Sequence, residues 1–277
     1  MSLHETGIRP LIDEYLKKKE AEERDYGEYW SASSAGYCMR LNILKRLKIP
    51  PVPEIAEDRA RTIRVFEAGH IFHEWIQRIT KDAGISIAQE VELQDEDLMV
   101  RGHFDDLVLV GGPIVNEDGT AGMEERNLIL YDYKTQNSQA FNYKRPEMGH
   151  SHKMQLGTYM YMLRKYTGKD ITTDIPMNLE TLTEARILKI SKDDLRLHEE
   201  QMFWTPDLEK EVVGYWNTLN GYWKRKVLPR CTCKEYEGFM GKRSSKGKIY
   251  NDYFLNDEPC SGEYIKMHSE LMKGWTL

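Results

Sequence analysis

Two residues of opposite charge, Asp132 and Lys134, stand two positions apart in the apolar stretch LYDYKTQ, residues 130–136. Side chains alternate along a β-strand, so both are expected to project from one face of the strand that this stretch predicts. A buried charge is costly unless a partner compensates it. The two residues therefore form either an ion pair at a strand end or part of a cleft that contains another ion.

A second predicted strand, RGHFDDLVL at residues 101–109, brings two more carboxylates, Asp105 and Asp106. Adjacent residues face opposite ways, so one of them shares the cleft, and alternation alone does not say which. Two carboxylates in one apolar cleft repel each other unless a cation lies between them, and oxygen ligands suit Mg²⁺ or Mn²⁺. A lysine beside that ion could position or deprotonate a water, or stabilise charge developing on a phosphate.

Two predicted helices add further polar groups. His73 follows Gly69 by four residues, so both lie on one helix face, where the imidazole could bind the ion. Gln155 and Tyr159 are also four apart on a later helix. Taken singly, a histidine is more often a core or surface residue, and the Gln–Tyr pair a partly buried helix face.

Together the four pairs resemble the PD-(D/E)XK nuclease superfamily and, within it, the RecB-like exonucleases. The pattern is Gly69-x-x-x-His73, Gly102-x-x-Asp105, Asp132-x-Lys134 and Gln155-x-x-x-Tyr159, over about residues 60–165. The resemblance implies a restriction-endonuclease-like α/β core with a central mixed β-sheet flanked by helices. It also implies a metal site formed by His73, Asp105, Asp132 and the main-chain carbonyl of Tyr133.

The same resemblance assigns roles to the remaining residues. Asp105, Asp132 and Lys134 are expected to be catalytic, and Gln155 and Tyr159 to orient the substrate backbone. The Gly-x-x-Asp spacing favours Asp105 over Asp106 as the cleft residue.

One cysteine precedes this core and three follow it: Cys38, Cys231, Cys233 and Cys260. That placement is similar to the iron–sulfur subgroup, which includes the CRISPR adaptation nucleases and the AddB-type helicase–nucleases. There, four thiolates bind a [4Fe–4S] cluster that ties the N- and C-terminal arms together. This chain departs from the usual C-x-x-C spacing, because one residue separates the first pair and residues 234–259 precede Cys260. A structural Zn²⁺ on the same ligands and four unrelated cysteines are the alternatives.

Composition is that of a globular, water-soluble protein, with 40% apolar and 30% charged residues among 277. No apolar run is long enough for a membrane span, and the N-terminal residues have no secretory h-region, so we expect a cytoplasmic protein with reduced thiols. The net charge of −6 argues mildly against a nucleic-acid partner but leaves a local basic groove open. Candidates for phosphate contacts are Arg61, Arg64, Lys144, Arg145, Lys153 and the segment GKRSSKGK, residues 241–248.

Periodicity predicts the elements that position these residues. Strands are expected at residues 86–94, 98–110, 126–136 and 185–191, and helices from Pro10, after residues 31–36, and over 61–82, 151–166 and most of 193–227. Three parts follow: a helical arm with Cys38 (1–60), a nuclease core (61–227) and an irregular cysteine-containing arm packed on the same domain (228–277).

The function expected from these features is a metal-dependent deoxyribonuclease, an exonuclease acting on DNA ends or single strands in recombination or repair. The alternatives are a RecB-like module that binds DNA or a partner without cutting, and a site-specific endonuclease of the same superfamily. A recombination or helicase protein is the partner class that the resemblance implies. Phage recombination, repair and CRISPR adaptation are not distinguished by the sequence.

Overall fold

The structure, a computed structural model, describes residues 8–21, 27–49, 56–115, 121–142, 148–165, 179–232 and 269–276. The helices in these residues are α1 (Ile8–Ala21), α2 (Met39–Arg46), α3 (Ala56–Asp82), α4 (Ser138–Asn142), α5 (His150–Arg164) and α6 (Pro206–Arg225). The strands are β1 (Trp30–Ser31), β2 (Ser86–Asp95), β3 (Val100–Val115), β4 (Ala121–Gln136), β5 (Glu184–Ser191) and β6 (Leu197–Phe203).

The six strands form one mixed sheet in the order β1-β3-β4-β5-β6, with β2 also paired to β3. The β2–β3, β3–β4 and β5–β6 pairs are antiparallel, whereas β1–β3 and β4–β5 are parallel. Helices α4 and α5 lie in the chain between the parallel strands β4 and β5, as a parallel connection requires. The predicted fold class, an α/β protein with a central mixed sheet flanked by helices, is confirmed.

Apolar side chains cover both faces of the sheet because strand residues alternate between them. Leu130 of β4 belongs to the larger cluster, with Trp216 of α6. Its neighbours Ile129 and Tyr133 belong to the other cluster, with Ile76 of α3. The central strand β4 is therefore buried on both faces, and its C-terminal end lies between α3 and α5.

Strand β6 corrects one prediction, since residues 193–227 were expected to be mostly helical. Leu197–Phe203 instead pairs antiparallel with β5, after a turn in which Leu195 has a φ of 59°. The strand lies at the sheet edge and buries mainly Met202, so its polar sequence lacks the apolar alternation of an inner strand. The helix begins only at Pro206, where the Thr205 side chain caps it.

The residues before α3 contribute to the same core as the sheet. Trp30 of β1 is buried and donates a 2.7 Å hydrogen bond from Nε1 to Asn220 Oδ1 on α6. The Arg46 guanidinium lies 4.2 Å from the ring centroids of both Trp30 and Trp223. The part boundaries at residues 60 and 228 stay predictions. None of the helices in the described ranges has the length and apolar character needed to cross a membrane.

Candidate active site

The site lies where β3 and β4 separate. Their pairing ends at Asp106 and Tyr131, and beyond that point the two strands diverge. The main-chain N–H of Tyr133, two residues further along β4, donates a 2.6 Å hydrogen bond to Asp105 Oδ2. A carboxylate thus replaces a main-chain acceptor at this end of the pairing, and Asp105 occupies the gap between the strands.

Asp132 and Lys134 project together into the cleft beside this gap. Lys134 Nζ lies 3.0 Å from Asp132 Oδ1 and 2.9 Å from Oδ2. Gln155 Nε2 of α5 donates to Asp132 Oδ1 at 2.9 Å, so this buried carboxylate has two donors. Lys134 keeps 29% of its side chain exposed, so this side chain is not fully enclosed by the fold.

His73 approaches Asp105 from α3, with 3.5 Å between His73 Nδ1 and Asp105 Oδ2. Gly69, one turn earlier, lies against β4, because a Cβ at this position would be 3.2 Å from Thr135 Oγ1. The small residue therefore lets α3 approach the strand end closely.

Tyr159 of α5 lies against Gly102 of β3. A Cβ on Gly102 would be 2.8 Å from Ala32 Cβ and 3.0 Å from the Tyr159 hydroxyl oxygen. The absence of a side chain at position 102 therefore leaves the space that the Tyr159 ring occupies. Both α5 residues of the motif are buried.

The charges in the cleft interact strongly. Burial, together with the negative charge of Asp132, raises the pKa of Asp105 well above its ordinary value. Burial would lower the pKa of Lys134, but the charges of Asp132 and Asp105 outweigh it and the pKa is raised. Burial and the positive charge of Lys134 lower the pKa of His73. The lysine is therefore held as a cation, and the histidine as a neutral imidazole.

Asp106 lies on the opposite side of β3 and is fully buried. Its carboxylate accepts hydrogen bonds from four side chains, Thr80 Oγ1 (2.6 Å), Ser86 Oγ (2.7 Å), Tyr133 Oη (2.9 Å) and Gln89 Nε2 (3.1 Å). These donors satisfy it within the fold. Of the two adjacent aspartates, Asp105 is the one that the structure places beside Asp132.

Three residues near the site were not found from the sequence. His152 of α5 lies near Lys134, and burial and that charge lower its pKa to about 4. Glu90 of β2 accepts a 3.0 Å hydrogen bond from Gln77, which also donates to the Asp105 carbonyl. The third is Tyr37, which follows the short 3₁₀ turn at Ala32–Ser34. Glu90 also has a φ of 50°, which is unusual for a strand residue, and no feature of the sequence indicates this backbone conformation.

The donor set fits a divalent cation. Burial and, after it, the negative charge of Asp132 raise the pKa of Asp105, and a cation between the two carboxylates would relieve their mutual repulsion. Within the described ranges, no three His, Cys, Asp or Glu side chains already converge as a metal cluster. The oxygens of Asp132 are engaged by Lys134 and Gln155. The role of the Tyr133 carbonyl stays a prediction.

The structure describes two of the four cysteines. Cys38, buried at the start of α2, accepts a 3.4 Å hydrogen bond to Sγ from the Thr232 N–H. Cys231 is partly buried, and neither is in a disulfide. The chain segment that leads to Cys233 thus passes beside Cys38, whereas Cys233 and Cys260 lie outside the described residues.

The basic residues expected to contact phosphates are only partly described. Arg61 is exposed, Arg64 pairs with Asp13, and Lys153 Nζ lies 3.1 Å from Glu211 Oε2. Lys144, Arg145 and the segment 241–248 lie outside the described residues. Most of the predicted phosphate-binding surface therefore stays a prediction.

No protein-family model matches the sequence, and no curated protein matches it. Solved structures resemble the chain at low identity. SSO0001 is 14% identical over 84% of this chain and 95% of its own, with a TM-score of 0.47. The alkaline exonuclease LHK-Exo from Laribacter hongkongensis is 12% identical over 72% and 93%, with a TM-score of 0.35. Its structure with dAMP is 12% identical over 73% and 94%, also with a TM-score of 0.35. TM-scores below 0.5 at these identities assign neither a family nor a function to this chain.

Proposed function

We propose that the chain is a metal-dependent deoxyribonuclease, an exonuclease acting on DNA ends or single strands. The observation that carries the proposal is the convergence of Asp105, Asp132 and Lys134 where β3 and β4 separate. Two carboxylates and a cationic lysine in one cleft are the groups that phosphodiester hydrolysis needs.

The groups that would hold Mg²⁺ or Mn²⁺ are the carboxylates of Asp105 and Asp132, the imidazole of His73 and the main-chain carbonyl of Tyr133. Oxygen donors with one imidazole suit either ion. The bound ion would polarise the scissile phosphate and lower the pKa of a water. The neutral imidazole favoured by the lowered pKa of His73 is the form that binds metals.

Lys134 would act as a fixed positive charge. Its pKa is raised, so it keeps its proton at neutral pH. An ammonium in a partly buried cleft stabilises negative charge that develops on the phosphate during attack. Because the lysine keeps its proton, we propose that it acts as an electrostatic catalyst rather than as a general base.

Gln155 and Tyr159 would align the substrate backbone. Gln155 donates one amide hydrogen to Asp132, which leaves its other amide groups for a neighbouring ligand. Tyr159 is fixed by the close approach of Gly102. Positioning of this kind contributes to rate because it holds the scissile bond in line with the attacking water.

A [4Fe–4S] cluster on Cys38, Cys231, Cys233 and Cys260 belongs to the same proposal. The N–H donated by Thr232 to Cys38 Sγ supports it, because Thr232 directly follows Cys231 in the chain. The cluster would hold the arms 1–60 and 228–277 on the core 61–227, and structural Zn²⁺ is the alternative. A recombination or helicase protein is the proposed partner class.

The proposal is tested with protein purified anaerobically and assayed with Mn²⁺ on end-labelled single-stranded DNA, and on linear, circular and end-blocked duplexes. We expect end-dependent loss of label that spares circular and end-blocked DNA. Asp132→Asn and Lys134→Ala should abolish it, whereas Asp97→Ala and Lys210→Ala, at exposed positions, should not.

Full Mn²⁺-dependent activity in both cleft variants would refute the assignment. Cleavage of circular DNA would identify an endonuclease instead. Binding of DNA without cleavage would identify a binding module.

A further inference from the structure

Lys189 of β5 stands beside Lys134 on the same face of the sheet. The two lysines are register partners in the parallel β4–β5 pair, so their side chains project in the same direction from neighbouring strands. Only 14% of the Lys189 side chain is exposed, against 29% of the Lys134 side chain. Two ammonium groups therefore enter one partly buried region, and each of them needs a compensating carboxylate.

The register places two carboxylates at equivalent positions on either side of Lys189. Ile187, two residues before it on β5, is the register partner of Asp132 on β4 and of Glu200 on β6. Both acidic side chains therefore share the face of Lys189 and lie diagonally from it, at a separation that a lysine side chain can span. Lys189 can thus pair with either carboxylate.

One of these two carboxylates is the partner of Lys189 in the structure. Its ammonium is bonded to Glu200, whose side chain is only 13% exposed. Asp132 instead bonds Lys134 through both oxygens, at 3.0 and 2.9 Å, and accepts a 2.9 Å hydrogen bond from Gln155 Nε2. The two neighbouring lysines therefore use separate carboxylates, one on each side of the β4–β5 pair.

We propose that Glu200 is a positioning residue of the proposed nuclease site: it holds the Lys189 ammonium on the β6 side of β5 and so leaves Asp132 to Lys134. Without the charge of Glu200, the shielded ammonium of Lys189 loses its partner, and Asp132 is the carboxylate at the equivalent position. Lys189 then competes with Lys134 for Asp132, and the Lys134 ammonium is no longer held in the cleft. This inference rests on the proposed function, in which Lys134 stabilises charge on the phosphate.

The first test is the Glu200→Gln variant, which removes the charge and keeps the size of the side chain. We expect kcat for Mn²⁺-dependent cleavage to fall about tenfold, the factor that corresponds to one hydrogen bond between charged groups. KM for DNA should stay unchanged, because Lys134 acts on charge that develops only during attack.

Lys189→Met separates this role from a general loss of stability. It leaves the shielded Glu200 without its partner, so it should lower the melting temperature as Glu200→Gln does. It also removes the competing ammonium, so its kcat, measured well below the melting temperature, should stay within twofold of that of the unmodified protein. The double variant that combines Lys189→Met with Glu200→Gln should regain the same kcat.

Glu199→Gln is the matched control on the same strand. Glu199 faces the other side of the sheet, where its Oε2 accepts a 3.0 Å hydrogen bond from Arg186 Nη1. This variant also removes a carboxylate that pairs β6 with β5, but it should keep full kcat.

Two outcomes of these assays would overturn the inference. A kcat of Glu200→Gln within twofold of the unmodified protein would show that Glu200 does not keep Asp132 for Lys134. An equal loss of kcat in Glu200→Gln and in the double variant would show a merely structural role.

A second measurement separates this inference from the proposed function. In ¹⁵N-labelled protein without added metal, the Lys134 Nζ resonance, assigned by its absence in Lys134→Met, should shift in Glu200→Gln. In the double variant it should match the resonance in Lys189→Met. If the unmodified protein cleaves no DNA, the proposed function fails, and this resonance alone decides the role of Glu200. A Lys134 resonance that ignores Glu200→Gln overturns the inference, whatever the activity.

Discussion

The main-chain N–H of Tyr133 donates a 2.6 Å hydrogen bond to the carboxylate of Asp105 on the neighbouring strand. The phenol of the same tyrosine donates to Asp106, 2.9 Å away on the other side of the sheet. Tyr133 of β4 thus hydrogen-bonds both adjacent aspartates of β3, one through its main chain and the other through its side chain. The two aspartates have different roles. Asp105 belongs to the cleft, whereas Asp106 fastens α3, β2 and β4 together.

This division predicts opposite effects of two neighbouring substitutions. Asp105→Ala should abolish Mn²⁺-dependent cleavage and should destabilise the fold less than Asp106→Ala, because it removes the acceptor of one donor, the Tyr133 N–H, rather than of four. Asp106→Ala leaves buried donors without an acceptor, so the free energy of unfolding should fall by about 3 kcal/mol while part of the cleavage activity remains below the melting temperature. Urea unfolding and cleavage rates of the two variants check this.

The reverse pattern would contradict the division of roles. A stable, inactive Asp106→Ala protein beside an active Asp105→Ala protein would place Asp106 in the cleft.

The raised pKa of Asp105 makes stability depend on pH. Burial and the charge of Asp132 raise it above 3.8, so the folded protein binds this proton more tightly than the unfolded chain. The free energy of unfolding therefore falls as the pH rises from about 4 through the folded-state pKa. Asp105→Asn removes the titrating group, so in metal-free buffer it should exceed the unmodified protein in stability at pH 8.

That advantage should shrink as the pH falls, because the two proteins then carry the same charge at this position. Chemical unfolding at pH 8, 6 and 4 measures it. An advantage of Asp105→Asn that is constant or grows towards acid would refute the raised pKa.

His152 predicts the opposite dependence on pH. Burial and the charge of Lys134 lower its pKa from 6.5 to about 4, so the unfolded chain binds this proton more tightly. The unmodified protein should lose stability as the pH falls from 6.5 towards 4, and His152→Gln should lose about 2 to 3 kcal/mol less. Chemical unfolding at pH 7 and pH 4 gives the difference in free energy of unfolding between the two proteins. The contribution of Asp105 is the same in both and cancels from this difference.

A direct titration checks the same prediction. The His152 ring resonances should stay those of neutral imidazole at pH 6, although this pH lies below the ordinary histidine pKa of 6.5. A His152 pKa near 6.5 would contradict the prediction.

The part of the site that sequence could predict follows from local periodicity. A period of two places Asp132 and Lys134 on one strand face, and the structure has their charged groups 2.9 Å apart. Helical spacing places His73 and Gln155 on faces that turn towards the strand end. The choice between Asp105 and Asp106 depends on where the β3–β4 pairing stops, and alternation carries no information about that point.

The rest of the site depends on contacts between distant segments. Gly36 allows its segment to pack closely on α5, beside Met154 and Ser151, and nothing local in the stretch AGYCMR indicates this. His152 stands in a histidine- and lysine-containing stretch that is typical of a solvated helix end. Strand β6 has a polar sequence and exists because β5 offers it an open edge.

Gly102 predicts a steric effect on the motif tyrosine. Gly102→Ala adds a Cβ 2.8 Å from Ala32 Cβ and 3.0 Å from the Tyr159 hydroxyl, so the variant should displace Tyr159. We expect the free energy of unfolding to fall by about 1 to 3 kcal/mol, as overpacking does, and cleavage to fall more than stability alone explains. Gly214→Ala is the control, because no atom lies within 4 Å of its added Cβ. A Gly102→Ala protein of unchanged stability and activity would contradict this packing.

The last prediction concerns which metal, if any, Cys38 and the other cysteines bind. The Cys38 Sγ already accepts an N–H from Thr232, the residue that follows Cys231, so the main chain next to one cysteine of the C-terminal arm lies beside Cys38. Anaerobically purified protein should be brown and contain iron and sulfide, and Cys38→Ser should lose both together with part of its thermal stability. Cleavage should fall only as far as the arms loosen, because phosphodiester hydrolysis needs no electron transfer. Zinc without sulfide would identify the structural Zn²⁺ alternative, and metal-free protein with unchanged stability in Cys38→Ser would leave the cysteines as separate packing residues.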